Sequence, residues 1–303
     1  MNAIPSPIRR VVINAPDGAT LIIRQHGNVS GPRIVMSHGN GFAMNGYVSF
    51  WLPLLADFEV VLVDQRNHGE NPTDGGRSHH LDGLAADLQS VIEALNRELG
   101  PKPTHGFFHS ISSVAALWHA ANFEWPWTRL VLVDPPIVPD VAHPLHRRAF
   151  DMEHFLAGWS IRRQADFASP SELAAQLRQA KGLGAWGGSA FDEMACAMLR
   201  AKAGTSEQSY TLCCPPALES MGYISNAYTP VWSSLERLQT RANDILVIGG
   251  DPSLEGAWYP SEIGAQLNER FGFRHIAVAG TSHLPQLEEP ELVRRTLVDF
   301  LAS

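Results

Sequence analysis

The sequence predicts an α/β fold: a mostly parallel eight-stranded sheet with helices on both faces and a helical cap insertion. Two observations predict it. Apolar runs of strand length alternate with segments of helical periodicity along most of the chain. Alternation of this kind indicates parallel strands joined by crossover helices. It stops over residues 137–239, where the sequence has helical character.

The strands are predicted from short runs rich in Val, Ile and Leu. Two runs near the N-terminus, 11–14 and 21–25, flank a turn at Pro16-Asp17-Gly18 and predict an antiparallel opening. The remaining predicted strands are residues 33–37, 59–64, 104–109, 129–134, 244–249 and 274–278.

Helices are predicted from periodicity and from start signals. Apolar residues at positions 81, 84, 88, 91, 92 and 95 share one helical face. Inside the insertion, Ser169-Pro170-Ser171-Glu172 is a capping box with proline at the first helical position, and the helix is expected to end near Lys181-Gly182. We therefore expect residues 1–136 and 240–303 to form the core and 137–239 to form a cap, or lid, above it.

Composition narrows the class of protein. At 303 residues, 45% hydrophobic and 18% charged, the chain is globular rather than disordered. A net charge of −8 without a long basic run makes nucleic acid an unexpected partner. No apolar stretch approaches the roughly 18 residues of a membrane span, and the N-terminus lacks a secretory pattern. With only three cysteines, a cytoplasmic location is expected.

Ser110 is the most informative residue. It lies between the strand-like segment 104–109 and the helical segment Val114-Ala115-Ala116-Leu117-Trp118. A serine on such a sharp turn has its hydroxyl above the sheet, beside the N–H groups that open the helix. That is the geometry of a nucleophile, although a serine before a helix is commonly only an N-cap.

Asp251 and His283 strengthen the interpretation of Ser110. Each of the three follows the C-terminal end of a predicted strand, in the order serine, acid, histidine. Ligand sites of parallel sheets lie at that edge. We therefore expect the three side chains to meet there.

At this point the chain resembles the α/β-hydrolase family. His38-Gly39-Asn40-Gly41 is similar to the family's oxyanion loop, and 64–69 is similar to its Asp-x-Arg-x-His-Gly turn. His283-Leu284-Pro285, with Glu288-Glu289-Pro290-Glu291 after it, is similar to the histidine loop and last helix. The resemblance covers nearly the whole chain apart from the insertion.

The resemblance implies acyl transfer without a cofactor. Ser110 would attack an ester-like carbonyl, His283 would take the proton and return it to the leaving group, and Asp251 would orient the imidazole. Asp134 also follows a strand, but the family mostly places its acid after the later one. Asp134-Pro135-Pro136 is therefore interpreted as a strand stop.

The resemblance also implies an oxyanion hole. It would be formed by the backbone N–H groups of Ile111 and Asn40, with Gly39 and Gly41 beside them as oxyanion or substrate-binding residues. His109, just before the serine, is expected to have a packing role.

The sequence departs from the family pattern at three places. Phe108 stands two residues before the serine, where a small residue is expected, so its ring should crowd the turn unless a neighbouring helix leaves a gap. Asn67 replaces a commoner glycine, and the segment Gly249-Gly250-Asp251 before the acid is compressed.

Two other patterns give only weak evidence for a dinucleotide site or a metal site. Gly182-Leu183-Gly184-Ala185-Trp186-Gly187 matches a dinucleotide fingerprint but follows a helix, where the fingerprint requires a strand. His105 and His109 lie along one strand about 13 Å apart, too far to share a zinc ion with bonds near 2 Å. Neither a cofactor nor a metal is expected.

Three functions remain open. The first is an ester hydrolase with a serine, histidine and aspartate triad, acting on a small or lipidic carboxylic ester. The second keeps the site but cleaves a C–C, amide or lactone bond, or acts as a lyase. The third is a non-catalytic ligand-binding module, an alternative raised by Phe108. The partner implied is a small-molecule ester-like substrate, and a homodimer is left open.

Overall fold

The computed structural model describes residues 2–180, 182–202 and 209–303. Eleven strands form in these ranges and are numbered in chain order. They are β1 (Arg9–Asn14), β2 (Thr20–Gly27), β3 (Arg33–Ser37), β4 (Glu59–Val63), β5 (Thr104–His109), β6 (Arg129–Val133), β7 (Asp166–Phe167), β8 (Leu199–Ala201), β9 (Tyr210–Leu212), β10 (Ile245–Gly249) and β11 (Arg274–Ala277).

The α-helices are numbered in the same way. They are α1 (Val48–Trp51), α2 (Leu81–Glu98), α3 (Ile111–Asn122), α4 (His146–Ser160), α5 (Pro170–Gln179), α6 (Ala190–Met198), α7 (Pro216–Tyr228), α8 (Val231–Ser234), α9 (Pro260–Phe271), α10 (Pro285–Glu288) and α11 (Pro290–Ala302). Short 3-10 helices cover Met44–Tyr47, Leu52–Ala56 and Leu235–Asp244.

Eight of the strands form one sheet in the order β1-β2-β4-β3-β5-β6-β10-β11. β1 pairs with β2, and β2 with β4, in antiparallel fashion, and the pairs from β4 to β11 are parallel. The predicted α/β fold, its strand number and its antiparallel opening are confirmed. The carboxyl ends of β3, β5, β6 and β10 therefore lie side by side at one edge of the sheet.

Helices cover both faces of this sheet. Along each central strand successive side chains point to opposite faces, so Val35 and Val61 pack under α2 and α3 while Ile34 packs with α1 and α11. On the first face α9 also contributes, through Leu267. Strands buried on both faces explain the continuous apolar runs in the sequence.

The insertion between β6 and β10 contains more than helices. α4 packs along α7, and β7, β9 and β8 form a small antiparallel sheet that the sequence did not predict. Ser169 caps α5 as expected, accepting a hydrogen bond from the Glu172 N–H at 3.3 Å. α5 ends at Gln179, and Lys181, near its expected end, lies outside the described residues.

Near the end of the insertion, Val231, Trp232 and Leu235 are buried in the same apolar cluster as α3 and α9. Within the ranges that the structure describes, no helix is long and apolar enough to cross a membrane.

Phe108 fits the core because a glycine makes room for it. Residues two apart share one face of a strand, and a Cβ at Gly106 would lie 2.6 Å from the Phe108 ring. The ring packs edge-on against Trp127, with the centroids 5.4 Å apart, and is only 2% exposed. Gly106, two residues before Phe108, thus provides the space that a small residue at position 108 would have left in the turn.

We expect Phe108→Ala to lower the free energy of unfolding by about 3–5 kcal/mol, since it removes a fully buried ring. Chemical denaturation measures this loss. Phe123→Ala, at a phenylalanine that is 42% exposed, is the control and should cost much less. A Phe108→Ala protein more stable than the wild type would mean that the ring is strained.

Candidate active site

Ser110 lies on a strained turn between β5 and α3. Its backbone has φ 55° and ψ −125°, a region that non-glycine residues avoid at a cost of about 1–3 kcal/mol. The Ser110 N–H donates to the carbonyl oxygen of Val133 on β6 at 2.9 Å, which holds the turn against the neighbouring strand. Ser113 Oγ also donates to the Phe108 carbonyl at 2.6 Å. These bonds hold the serine hydroxyl above the sheet edge.

The loop after β3 passes very close to this turn. A Cβ at Gly39 would lie 2.8 Å from His109 Nδ1 and 3.1 Å from Ser110 Cβ. Any side chain at position 39 would therefore separate the loop from the serine.

Ser110, His283 and Asp134 form a continuous line of hydrogen bonds. His283 Nε2 lies 2.9 Å from Ser110 Oγ, and His283 Nδ1 lies 2.6 Å from Asp134 Oδ2. Because a carboxylate only accepts, Nδ1 carries the proton and Nε2 is free to accept from the serine hydroxyl. Asp134 is 1% exposed and His283 8% exposed, so water scarcely screens these contacts.

The structure corrects the expected position of the acid. Asp251, which was expected to contact His283, instead bonds to its own loop and to the loop before His283: Oδ1 accepts from Ser253 N and Oγ, and Oδ2 accepts from Gly280 N at 2.8 Å. The hydrogen bond from the Gly280 N–H, ahead of those from Ser253, lowers the pKa of Asp251. Asp251 thus stabilises the loop before His283, and Asp134 fills the place next to the imidazole.

Asp134, and not Asp251, contacts His283 because of where the strands before these two residues end. Asp134 follows β6 directly, at φ 44°, and β6 lies between β5 and β10 in the sheet. Its carboxylate also accepts from the Gly250 N–H at 3.1 Å. Gly249 and Gly250 pass the Asp134 carboxylate, and Asp251 follows them farther along the loop. The compressed Gly-Gly-Asp segment was the signal in the sequence that pointed away from Asp251.

The backbone N–H groups of the loop after β3 differ in their hydrogen bonding. The Gly39 N–H donates to Tyr47 Oη at 3.2 Å and the Gly41 N–H to His68 Nε2 at 3.0 Å. Among the described residues, the N–H groups of Asn40 and Ile111 have no acceptor. Ile111 is the first residue of α3, where backbone donors lack intrahelical partners. The Asn40 side chain donates to the Glu219 carbonyl on α7 at 2.8 Å.

His109 joins the two loops of the site. Its Nε2 lies 3.0 Å from the His283 carbonyl oxygen and must donate, so Nδ1 accepts from Tyr47 Oη at 2.8 Å. Tyr47 Oη in turn accepts from the Gly39 N–H. Burial holds the pKa of His109 well below its usual value, so the ring is neutral. The expected packing role is thus accompanied by a hydrogen-bonded one.

The turn 64–69 forms hydrogen bonds with the loop after β3 and with the residues that follow it. Asp64 accepts from the Met44 N–H at 2.7 Å and pairs with Arg24. Burial holds the pKa of His68 well below its usual value, so Nε2 stays free to accept from the loop. Asn67 adopts φ 64°, a conformation that asparagine tolerates.

Three side chains behind this turn could offer ligands to a metal. His68, His79 and Cys214 bring their ligand atoms within 4.8 Å of one another. His68 Nε2 already accepts from Gly41, however, and His79 Nδ1 contacts the Asn67 amide at 3.2 Å. Burial raises the pKa of the Cys214 thiol well above its usual value. A metal would need the thiolate and would displace the hydrogen bond from the Gly41 N–H. These three side chains therefore fit a structural role better than metal binding.

A cavity of about 330 Å³ lies between the core and the insertion. Ser110, Asn40 and His283 lie at its surface. Most of the wall is apolar and comes from the insertion and the loop before α9. These residues are Met152, Phe155, Leu156, Trp159, Leu173, Leu177, Leu183, Met198 and Trp258.

Polar groups also line the cavity. Arg163 Nη1 pairs with Glu219 Oε2 at 2.8 Å. Glu153, on α4, is 1% exposed, and its Oε1 lies 2.8 Å from Tyr259 Oη. Burial raises the pKa of Glu153 to about 7, against lowering hydrogen bonds from Asn226 and Tyr259.

A raised folded-state pKa at Glu153 predicts a pH-dependent stability. The unfolded carboxyl has a pKa of 4.5 and the folded one about 7. The folded state therefore binds the proton more tightly, and wild-type stability falls as pH rises through this window, by about 3 kcal/mol. Glu153→Gln stays neutral. Its unfolding midpoint, relative to the wild type, should be higher at about pH 8 than at about pH 5.

Glu269→Gln, on the exposed side of α9, controls for the loss of a negative charge. An equal midpoint difference for Glu153→Gln at both pH values would contradict the raised pKa.

Solved structures of similar fold include several hydrolases. The crystal structure of E-2-(acetamidomethylene)succinate hydrolase matches with TM-score 0.74 at 16% identity, covering 97% of this chain and 100% of that one. An α/β hydrolase from Novosphingobium aromaticivorans matches with TM-score 0.74 at 18% identity, covering 98% and 99%. A thermophilic esterase from Thermogutta terrifontis matches with TM-score 0.66 at 18% identity, covering 97% and 98%.

The TM-scores show a shared fold, and at identities of 16–18% they show the fold alone. No curated protein matches the sequence significantly. The family model described as "Alpha/beta hydrolase family" matches residues 34–296, which span the sheet from β3 onward, the insertion and the loops of the site. This chain belongs to the α/β-hydrolase family.

Proposed function

We propose that this chain is a serine hydrolase that cleaves a carboxylic ester, with Ser110 as nucleophile, His283 as general base and Asp134 as the acid that orients it. The observation that carries the proposal is the buried line from Ser110 Oγ through His283 to Asp134, with contacts of 2.9 and 2.6 Å. A proton can leave the serine along this line only in one direction, towards His283 Nε2.

Acyl transfer proceeds in two halves. Ser110 Oγ attacks the ester carbonyl carbon while His283 Nε2 takes its proton, and the carbonyl oxygen becomes an oxyanion. His283 then gives the proton to the departing alkoxide, which leaves an acyl-serine and an alcohol. Water adds to the acyl-serine with the same proton transfers, and the carboxylic acid is released as Ser110 is restored.

The free N–H groups of Asn40 and Ile111 are proposed as the oxyanion hole. They flank Ser110 from the loop after β3 and from the start of α3. Gly39 and Gly41 take a supporting role, because their N–H groups are bonded to Tyr47 and His68. Asp134 keeps the proton of His283 on Nδ1 and stabilises the imidazolium that forms during attack.

An apolar cavity beside the serine supports an ester with an apolar acyl or alcohol part. The esterase among the structural neighbours agrees with this choice. Amide, lactone and C–C bond hydrolysis use the same residues and differ in the substrate bound. The Ser110–His283 contact of 2.9 Å argues against a non-catalytic binding module.

We expect a fluorophosphonate probe to label the wild-type chain once, at Ser110, because only an activated hydroxyl attacks phosphorus at a useful rate. Intact mass measurement and peptide mapping locate the label. Ser110→Ala should not be labelled, while Ser113→Ala, at a serine one helical turn away, is the control. Labelling that persists in Ser110→Ala would refute the nucleophile.

Asp134→Asn should lower kcat for a short-chain ester by about 10⁴-fold, since an amide at this position favours the wrong imidazole tautomer. Steady-state kinetics on the folded variant measures the loss. The matched variant Asp251→Asn should keep kcat near the wild-type value, because Asp251 does not contact His283 and bonds instead to Ser253 and to the Gly280 N–H. A larger loss in Asp251→Asn than in Asp134→Asn would reverse the assignment.

A further inference from the structure

The imidazole of His283 contacts an aromatic ring that acyl transfer, as derived above, does not use. Its two nitrogens are occupied in the ring plane by Ser110 Oγ and Asp134 Oδ2. The indole of Trp258 lies beside it, with the ring centroids 5.3 Å apart and the planes inclined by 34°. Rings at this distance and nearer to parallel than to perpendicular are offset-stacked. Trp258 therefore meets the imidazole through the face of its indole.

Trp258 is held in place from two sides. Its backbone carbonyl oxygen accepts from the Ser261 N–H at 3.2 Å and from Ser261 Oγ at 2.8 Å, at the start of α9. On the other side Gly182 of the insertion packs on the indole, because a Cβ at this glycine would lie 2.7 Å from Trp258 Cε2. A side chain at position 182 would displace the indole from the imidazole.

The same segment of the insertion also reaches the histidine loop. A Cβ at Gly184 would overlap the Glu288 carboxylate. Glu288 accepts from the Ser282 N–H at 2.9 Å and from the Leu284 N–H at 3.3 Å, so it holds the backbone on both sides of His283. The glycines that resemble a dinucleotide fingerprint thus allow the insertion to pack closely against the surroundings of the imidazole.

Acyl transfer changes the charge of the ring that Trp258 contacts. When His283 takes the proton of Ser110, the imidazole becomes a cation. A cation within about 6 Å of an aromatic centroid is attracted by the negative potential of the ring face, and among aromatic side chains tryptophan attracts it most strongly. The contact with Trp258 is therefore stronger in the transition state than in the resting enzyme, which is the condition for accelerating a reaction.

The ionisable groups around the imidazole come from several elements. They are Asp134 after β6, His109 in β5, Glu288 in α10 and, across the cavity, the paired Arg163 and Glu219. His109, with its ring centroid 4.9 Å from that of His283, is neutral because burial lowers its pKa. Replacing Trp258 by an aliphatic residue changes none of these charges.

We propose that Trp258 is a positioning residue for the general base: its indole, held in place by Gly182, stabilises the positive charge that His283 gains when it takes the Ser110 proton. The proposal rests on the proposed function, because this charge forms during turnover only if His283 is the base. Asp134 acts on the imidazole by a hydrogen bond in the ring plane, whereas Trp258 acts through the potential of its face.

The test is the pH profile of kcat/KM for p-nitrophenyl acetate, whose leaving group needs no proton, so that the rising limb reports the base. In Trp258→Leu the plateau should fall about tenfold, and the limb should move to lower pH by about one unit. Below the limb the base is already charged in the free enzyme, so the loss cancels and the two profiles should coincide.

A structural defect would give a different result. Trp159→Leu makes the same change elsewhere in the cavity wall, and any loss should be equal at every pH. An equal loss at every pH in Trp258→Leu would mean that the indole only supports the fold, and the proposal would be wrong. A limb that moves to higher pH would also overturn it, because water would then stabilise the cation better than the indole does.

Two further variants keep the test decisive if Trp258→Leu does not fold. A polyfluorinated tryptophan at position 258, introduced by nonsense suppression, keeps the ring and weakens the potential of its face, so it should move the profile in the same direction. Gly182→Ala should do so by displacing the indole. Gly188→Ala is its control, since Gly188 also has a positive φ but its Cβ would meet nothing within 4 Å. An unchanged profile with the fluorinated residue would refute the role of the indole, and one in Gly182→Ala would refute that of the insertion.

An NMR titration separates this proposal from the proposed function, because it needs no turnover. In histidine-labelled Ser110→Ala, the His283 resonance, identified by its loss in His283→Gln, should titrate at lower pH when Trp258→Leu is added. If esters are not cleaved but this change is found, the hydrolase proposal fails and the stabilisation by Trp258 stands. If esters are cleaved at Ser110 and the titration does not change, the hydrolase proposal stands and the role of Trp258 is refuted.

Discussion

The contact between Asp134 and His283 is the constraint on which the site depends. A carboxylate that is 1% exposed is stable only when donors replace water. Those donors are His283 Nδ1 at 2.6 Å and the Gly250 N–H at 3.1 Å. They come from the histidine loop and from the end of β10, so both segments must converge on the end of β6. Neighbouring parallel strands bring their carboxyl ends together and make this convergence possible.

The sequence predicted the sheet and the contact between Ser110 and His283, because apolar runs and strand-to-helix turns are local signals. It placed Asp251 beside His283, where the structure has Asp134, because the two aspartates follow adjacent strands and only the paths of the loops distinguish them. The small sheet of β7, β9 and β8 in the insertion was missed for another reason. Its strands, such as β7 with two residues, are too short to show a period. The gap for the Phe108 ring depends on Gly106, two residues earlier on the same face of β5.

Buried histidines connect the loops of the site, which gives several of the chain's 13 histidines a physical role. A neutral imidazole donates at one nitrogen and accepts at the other, so it can join two backbone segments. His68 reaches the Gly41 N–H and the Arg66 carbonyl, and His109 joins Tyr47 to the His283 carbonyl. Burial lowers the pKa of both rings and so preserves this two-sided bonding.

The hydrogen bond from Asn40 Nδ2 to the Glu219 carbonyl has a mechanical consequence. Asn40 belongs to the loop beside Ser110, and Glu219 belongs to α7 of the insertion, where its carboxylate also holds Arg163. A movement that lifted α7 to admit a ligand would pull on the loop that presents the Asn40 N–H. Such a movement would either break this hydrogen bond or draw the Asn40 N–H away from Ser110, so the position of α7 and that of the loop are coupled.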